Sequence, residues 1–192
     1  MSRQVIIEGS GRHIHVSRED LDILFGAGFE LEKVKMLSQP GEFASASKVE
    51  LEGPRGKIQG VAVLGPCRKQ TQVEVSFTDA RALGATYPVR QSGDLAGSSP
   101  IIIHGPEGSL ELVEGAIIAK RHIHFLPSDA EPLGIKDGQI VRVRVGGERG
   151  LIFDEVVARV TDKSAFFMHL DYDEINAAAL FGPELIGEIL ED

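Results

Sequence analysis

The sequence has a single cysteine, no long apolar run and no excess of positive charge. Because Cys67 is the only cysteine, no intrachain disulfide can form, and this low cysteine content indicates a reducing compartment. The longest apolar runs, in IIIH and AIIAK, are too short to span a bilayer, and the first residues lack the apolar core of a signal peptide. A formal net charge of −9 argues against binding to nucleic acid or anionic lipid. The composition predicts a folded cytoplasmic protein with neither nucleic acid nor a membrane as partner.

What the sequence does contain is short apolar runs separated by scattered glycine and proline, which is typical of many short strands joined by turns. Several runs alternate apolar and polar residues at period two, as in VRVRV and TQVEVSF. The fold class is therefore mainly β with short helices. We predict strands at residues 4–8, 47–51, 58–64, 70–77, 100–104, 109–113, 116–121, 139–145, 151–160 and 165–171.

Short helices are predicted at four places. Ser17 is a good N-cap for SREDLDILFG, and Gly26 can end that helix. A second helix is predicted to begin at Thr78 and a third at Ser128, each closing at a glycine. The fourth lies in DEINAAALFG.

The tetrapeptide RHIH occurs twice, at residues 12–15 and 121–124, so its first histidines are 122 − 13 = 109 positions apart. Each copy is followed by a helix signal and then by glycine-rich strands, which indicates an internal duplication. The segment LGIKDGQIVRVRV resembles the helix, turn and strand element of double-psi β-barrels. We therefore expect each half to close into a small barrel.

The repeated histidine pairs suggest metal binding. On an extended backbone residues i and i+2 point to the same side, so His13 and His15, and likewise His122 and His124, can aim at one point. An isolated pair of this kind is more often a surface or satisfied core feature, but two identical copies favour metal ligation. Imidazole with carboxylate suits zinc or a similar first-row ion.

A third protein ligand is needed at each centre, and three residues are candidates. His169 ends an apolar strand, although it can equally serve as a strand cap, and Glu74 alternates with valines, although it can equally be a solvated strand residue. Cys67 is chemically able to ligate but is more often an inert, small buried residue. With one cysteine, histidine and carboxylate ligation indicates an open catalytic site.

Two arginines are candidates for binding an anion. Arg68 follows a Gly-Pro turn in GPCRKQTQ, which can hold a guanidinium for a bidentate grip on phosphate or carboxylate, unless it is simply a solvated turn charge. Arg90 precedes the loop QSGDLAGSS, whose backbone N–H groups can also face an anion.

Together these segments resemble the PduL-type phosphate propanoyltransferases, the phosphotransacylases associated with bacterial microcompartments. Eight motifs occur in that family's order and cover essentially the whole chain: GRHIHVSREDLDILFG, LSQPGEFA, LGPCRKQTQVEVS, TDARALG, PVRQSGDLAGS, KRHIHFLPSDA, LGIKDGQIVRVRVGGERGLIFDEVVARV and MHLDYDEINAA. The resemblance implies two β-barrels with the active site between them. The expected domains are residues 2–11 plus 120–189, joined through the first strand, and residues 12–119.

The resemblance also implies reversible transfer of a short acyl group, propanoyl or acetyl, between coenzyme A and inorganic phosphate, with two zinc ions per chain. One zinc would activate the coenzyme A thiol, which then attacks the carbonyl of the acyl phosphate directly. The expected ligands of this first zinc are His13, His15 and Glu74. Those of the second, which also holds waters, are His122, His124 and His169.

The same resemblance assigns the substrate contacts. Arg68 would bind phosphate and act with Glu74 in catalysis, and Ser10, Gly11 and Asn176 would lie near coenzyme A. Most relatives have asparagine where this chain has Gly11, so one side-chain contact to coenzyme A is expected to be missing. Cys67 stands where alanine is common.

Three further expectations concern the location, the oligomeric state and the alternative functions of the protein. Members packaged into microcompartments usually carry an extension before the first strand, and only a few residues precede it here, so a cytoplasmic location is expected. A homodimer is the default oligomer. The alternatives to an acyltransferase are a zinc-dependent thioesterase or other hydrolase, in which a metal-bound water attacks the same carbonyl, and a non-catalytic metal-stabilised barrel that binds an anion.

Overall fold

The computed structural model describes residues 3–182 and 185–191, which form two compact units. One unit contains the described residues up to Ser10, the short segment Ser38–Pro40 and the described residues from Lys120 onward. The other contains Gly11–Leu37 and Gly41–Ala119. Both units are built mainly from strands, which confirms the predicted fold class.

The described residues contain strands β1 to β14 and helices α1 to α4. The strands are β1 Gln4–Ser10, β2 His13–His15, β3 Lys33–Met36, β4 Phe43–Glu52, β5 Lys57–Gly65, β6 Gln72–Glu74, β7 Val89–Arg90, β8 Ser99–His104, β9 Ser109–Ala119, β10 His122–Phe125, β11 Ile140–Val145, β12 Leu151–Val160, β13 Phe167–Asp171 and β14 Ile186–Ile189. The helices are α1 Arg18–Phe25, α2 Phe77–Leu83, α3 Pro127–Ala130 and α4 Tyr172–Ala177, with a 3₁₀ turn at Glu131–Leu133. Within these ranges no helix is long and apolar enough to cross a membrane.

The Gly11–Leu37 and Gly41–Ala119 unit is a closed six-stranded barrel. Its strands follow the order β4-β5-β2-β6-β9-β8, and β8 pairs again with β4 to close the ring. Strands β3 and β7 extend the sheet by pairing with β4 and β9. Apolar side chains that point inward, among them Ile14, Val63 and Val73, fill the core.

The other unit is also a closed six-stranded barrel, in the order β1-β13-β10-β12-β11-β14. Ile123, Phe125 and Met168 are completely buried in its core. Alternation along β10 thus places Ile123 inward among the apolar side chains and puts the flanking histidines on the opposite face.

The two barrels share one pairing pattern, as expected for a duplication. In each, the HxH strand (β2 or β10) is antiparallel to one neighbour (β6 or β13) and parallel to the other (β5 or β12). In each, the antiparallel neighbour is in turn parallel to a further strand, β9 or β1. The N-terminal strand β1 therefore takes the place in its barrel that β9, at the end of the repeat, takes in the other.

The helix predictions hold in position but not always in their first residue. Ser17 caps α1 and Gly26 ends it, as predicted. The start at Thr78 is wrong, because Ser76 and Asp79 form a reciprocal capping box and α2 begins at Phe77. The third helix begins at Pro127, whose fixed φ suits the first helical position, and not at Ser128.

The strand predictions differ from the structure where capping or glycine decides the ends. The predicted strand 70–77 shrinks to Gln72–Glu74 because Ser76 already caps α2. The strands predicted at 109–113 and 116–121 are one strand, since Gly115 continues it at a φ of 143° that other residues rarely adopt. The strands β3, β7 and β14 were not predicted. Strands β2 and β10 lie outside the predicted ranges, although the argument for the histidine pairs assumed an extended backbone there.

Candidate metal centres

The first cluster forms where β2 and β6 pair. His13 lies directly opposite Glu74 in this antiparallel pair, so their side chains share a face with His15. All three side chains are buried, and their candidate ligand atoms all lie within 4.8 Å of one another. His13 Nε2 is 3.6 Å from Glu74 Oε2. Two ligands of a tetrahedral ion with bonds of about 2.0–2.1 Å are about 3.3 Å apart, so this spacing is close to that of a metal site.

The second cluster forms at the equivalent pairing of β10 with β13. His122 lies directly opposite His169, and both group with His124 within the same 4.8 Å limit. His122 Nε2 and His124 Nε2 are 3.1 Å apart. Two nitrogen lone pairs repel at that distance unless a proton or a cation lies between them, so this arrangement also fits a shared ion.

Backbone carbonyls orient the leading histidine of each cluster. His13 Nδ1 donates to the Gly11 carbonyl at 2.8 Å, and His122 Nδ1 donates to the Lys120 carbonyl at the same distance. A carbonyl oxygen only accepts, so Nδ1 carries the proton and Nε2 keeps its lone pair. This is the usual arrangement behind a metal-bound imidazole.

Burial lowers the pKa of three of these imidazoles. It is the main cause that lowers the pKa of His122 and of His124 to about 3, and neighbouring positive charge, chiefly from His169, adds to the shift. Burial likewise lowers the pKa of His15 far below its usual value, with further contributions from His13 and Arg68. These histidines are therefore neutral at pH 7, which is the protonation state that a metal ligand requires.

Among residues 3–182 and 185–191, the buried side-chain atoms without a hydrogen-bond partner include two histidine nitrogens, His15 Nδ1 and His169 Nε2. Leaving a buried polar atom unpaired costs about 1–3 kcal/mol, and one such atom occurs in each cluster. A bound cation would satisfy atoms of this kind. The donor set and the geometry of both clusters thus fit a divalent metal ion.

A hydrogen-bonded group of polar side chains adjoins Glu74 in the first cluster. Glu74 Oε1 accepts from Gln72 Nε2 at 2.5 Å and from the Ser92 hydroxyl at 2.8 Å. The Ser92 oxygen in turn accepts from Arg68 at 3.3 Å, and Arg68 also pairs with Glu42 at 2.8 Å. One serine thus connects the predicted anion-binding arginine to the predicted metal ligand.

Sequence reasoning did not single out Ser92, Gln72 or Glu42. Ser92 lies in the polar loop after Arg90, which was considered only for its backbone N–H groups, and Gln72 lies two residues before Glu74 on the same strand face. The period of two was therefore a usable signal for Gln72. No local signal indicates Glu42, which comes from a distant part of the sequence.

The remaining predicted residues lie in several places. Ser10 pairs with Asp171, the N-cap of the helix that carries the exposed Asn176. Gly11 supplies the carbonyl that orients His13. Arg90 lies on β7 beside Ala119. Cys67 belongs to neither cluster and packs, half-buried, against the apolar core.

The arginine of each RHIH copy makes the same ion pair. Arg12 contacts the buried carboxylate of Asp79 at 2.7 Å, and Arg121 contacts Glu174 at 2.6 Å. Both acids occupy the N3 position in the capping box of the helix that follows the strand carrying the third ligand. Each arginine therefore ties the start of its HxH strand to the helix directly after the opposing ligand.

Arg12→Gln is expected to weaken metal binding at the first cluster about threefold to tenfold, because the tie between β2 and α2 is lost while all three ligands stay. Direct hydrogen-bond partners of metal ligands are worth roughly ten- to a hundredfold, and this contact is one step further away. Competition with a chelator measures the affinity. Arg18→Gln, which removes another ion-paired arginine of the same barrel, is the control. An equal loss in both variants would contradict the expectation.

Two six-stranded barrels, each with an HxH strand facing a third ligand, define the class of this protein: a duplicated β-barrel protein with two candidate metal centres. The sequence profile of the phosphate propanoyltransferase family matches residues 6–181. The chain therefore belongs to the phosphate propanoyltransferase family.

Individual relatives support this membership. The chain is 53% identical to the phosphate propanoyltransferase of Clostridioides difficile over 171 residues, which is 89% of this chain and 82% of the relative. It is 54% identical to that of Thermotoga maritima over 95% of this chain and 87% of the relative. It is 47% identical to that of Listeria monocytogenes over 97% of this chain and 87% of the relative.

Proposed function

We propose that this protein catalyses the reaction acyl phosphate + coenzyme A ⇌ acyl-coenzyme A + phosphate, with a propanoyl or acetyl group. This reaction is inferred from the phosphate propanoyltransferase family, to which the chain belongs. The observation in the structure that supports it best is the link from Arg68 through Ser92 to Glu74, because it connects an anion-binding group to a metal-ligating group. In the proposed reaction the first group binds phosphate and the second holds the metal that activates the thiol.

Two zinc ions are proposed, one at each cluster. His13, His15 and Glu74 would hold the first, and His122, His124 and His169 would hold the second. A bound zinc ion supplies Lewis acidity, which lowers the pKa of a thiol and polarises a carbonyl. Neutral buried imidazoles suit this role, since they bind without having to release a proton.

Arg68 is the proposed phosphate-binding residue. Its guanidinium is held by Ser92 and Glu42, and its side chain is about one-third exposed, so it can still exchange one partner for a phosphate oxygen. When acyl phosphate reacts, the bond from the carbonyl carbon to the phosphate oxygen breaks, and the bond to the thiol sulfur forms. Arg68 then offsets the charge on the leaving phosphate, which takes up the thiol proton.

Glu74 and Ser92 hold the first cluster in shape. The Ser92 hydroxyl donates to Glu74 Oε1, while Oε2 is the oxygen that faces His13. Ser92 and Gln72 thus fix one carboxylate oxygen by hydrogen bonds and leave the other for the metal. Such outer contacts orient a ligand and tune its strength.

Ser10, Gly11 and Asn176 are the proposed coenzyme A contacts. Asn176 is exposed on α4, where its side-chain amide can reach a ligand. Gly11 has no side chain, so its contribution is limited to its backbone, whose carbonyl already accepts from His13. The domain limits 2–11 plus 120–189 and 12–119, a homodimer and a cytoplasmic location stay predictions.

The decisive test is thiol release from acetyl-coenzyme A by the purified protein. We expect release that requires phosphate and stops after treatment with a chelator, and that returns when zinc is added. Release without phosphate would favour the thioesterase, whereas metal binding without any release would favour a non-catalytic barrel. Exchange of labelled phosphate with acyl phosphate in the absence of coenzyme A would contradict direct transfer, because it requires an acyl-enzyme.

A further inference from the structure

A carboxylate from the N-terminal strand lies beside the three-histidine cluster. Glu8 on β1 pairs in register with His169 on β13. Glu8 Oε2 is 3.4 Å from His169 Nε2. That nitrogen is buried and has no hydrogen-bond partner among the described residues. Ligand atoms that share a tetrahedral ion are about 3.3 Å apart, so the separation of these two atoms is close to that of two ligands on one metal. The group of ligand atoms that all lie within 4.8 Å of one another contains the three histidines and not Glu8.

The other barrel has no carboxylate at the equivalent position. There β9 takes the place of β1, and the residue paired in register with Glu74 is Ile117, which is completely buried. The two barrels have matching strand pairings, so Glu8 and Ile117 are direct counterparts. The three-histidine cluster therefore has a carboxylate on the neighbouring strand, whereas the His13, His15 and Glu74 cluster has an apolar side chain at the equivalent position.

A short segment of chain positions Glu8. The Ser38 hydroxyl donates to Glu8 Oε2 at 2.5 Å. The next residue, Gln39, is anchored by two hydrogen bonds of 3.1 Å between its side-chain amide and the backbone of Ala165. Residues Ser38–Pro40 belong to the same compact unit as β1 and β13. A hydroxyl that donates to a carboxylate oxygen is a usual outer contact of a metal-binding carboxylate.

We propose that Glu8 is a fourth protein ligand of the metal ion held by His122, His124 and His169. The proposal rests on the metal proposed at that cluster. A fourth protein ligand takes a coordination position that three protein ligands leave to a water or a substrate. The His13, His15 and Glu74 cluster, with Ile117 beside it, keeps that open position and is the one that takes the thiol. The three-histidine cluster then retains its metal more tightly than it does without Glu8.

The test uses the full-length protein freed of metal and titrated with Co²⁺, whose visible spectrum reports coordination. The wild type is expected to bind two ions, and Glu74→Gln identifies the cluster to which each spectral band belongs. Glu8→Ile, which copies the residue of the other barrel, is expected to weaken the three-histidine site about tenfold or more and to change its band. Glu8→Gln, which keeps the shape of the side chain, should weaken the same site.

The control is Glu188→Gln, an exposed glutamate on β14, the strand next to β1. It should leave both affinities and both bands unchanged. Two bound ions with unchanged affinity and spectrum in both Glu8 variants would overturn the role of Glu8 and leave the proposed function standing. A wild-type protein that binds no ion would overturn both.

Discussion

Glu74→Gln is expected to lower the rate of phosphate-dependent acyl transfer about a thousandfold. The change keeps the size of the side chain but removes the charge of a proposed ligand of the first cluster, so the metal proposed to activate the thiol there should be lost. Lewis-acid catalysis is worth several kcal/mol, and each ~1.4 kcal/mol is a factor of ten in rate. Metal analysis should show that the bound equivalents fall from two to one.

The matched control for this variant is Glu50→Gln in the same barrel. Like Glu74, Glu50 accepts from a glutamine side chain, Gln59 at 2.8 Å, and it forms an ion pair with Lys57. It lies outside both clusters, so activity and metal content should stay at the wild-type level. Glu74→Gln with one metal equivalent and unchanged activity would show that the first cluster takes no part in the chemistry.

Arg68→Ala is expected to raise the KM for phosphate by roughly ten- to a hundredfold, and the KM for coenzyme A much less. A charge-assisted hydrogen bond contributes about 1.5–3 kcal/mol, which corresponds to this range. The assay is the formation of acetyl phosphate from acetyl-coenzyme A at varied phosphate. Arg68→Lys keeps the charge but loses the planar fork, so it should restore only part of the affinity.

Lys69→Ala separates the role of Arg68 from a general loss of positive charge. Lys69 is the next residue in the chain and is exposed, and we expect the KM for phosphate to change less than twofold when it is removed. Equal loss of phosphate and coenzyme A affinity in Arg68→Ala would count against its assignment to phosphate.

Three elements show which structures the sequence patterns predict and which they do not. The strand predicted at 151–160 has the bounds observed for β12, because the segment is rich in β-branched and other apolar residues and glycine precedes it. The helix start at Thr78 was wrong because two good caps stand close together, and only the contact between Ser76 and Asp79 decides between them. Strand β3 is a short KVKM segment whose residues are all exposed, so no buried face marks it and its pairing with β4 is a tertiary effect.

The residues of the candidate site were partly predictable, because some depend on local spacing in the chain and others on strand register. The paired histidines follow from a period of two, which is local. Glu74 and His169 were only candidates until the antiparallel register placed each of them opposite the first histidine of its pair. The role of the arginine in each RHIH copy is explained only by the tertiary structure, in which Arg12 pairs with Asp79 and Arg121 pairs with Glu174.

By itself the sequence determined the mainly β class, the duplication and four of the six candidate ligands, because these depend on backbone geometry between close neighbours in the chain. The tertiary structure alone decided how Ser92 connects Arg68 to Glu74, and that Glu8 lies beside His169 where the other barrel has Ile117. Those contacts join residues far apart in the chain. They depend on barrel closure and on strand register, which are decided by the packing of the whole core and by no local pattern.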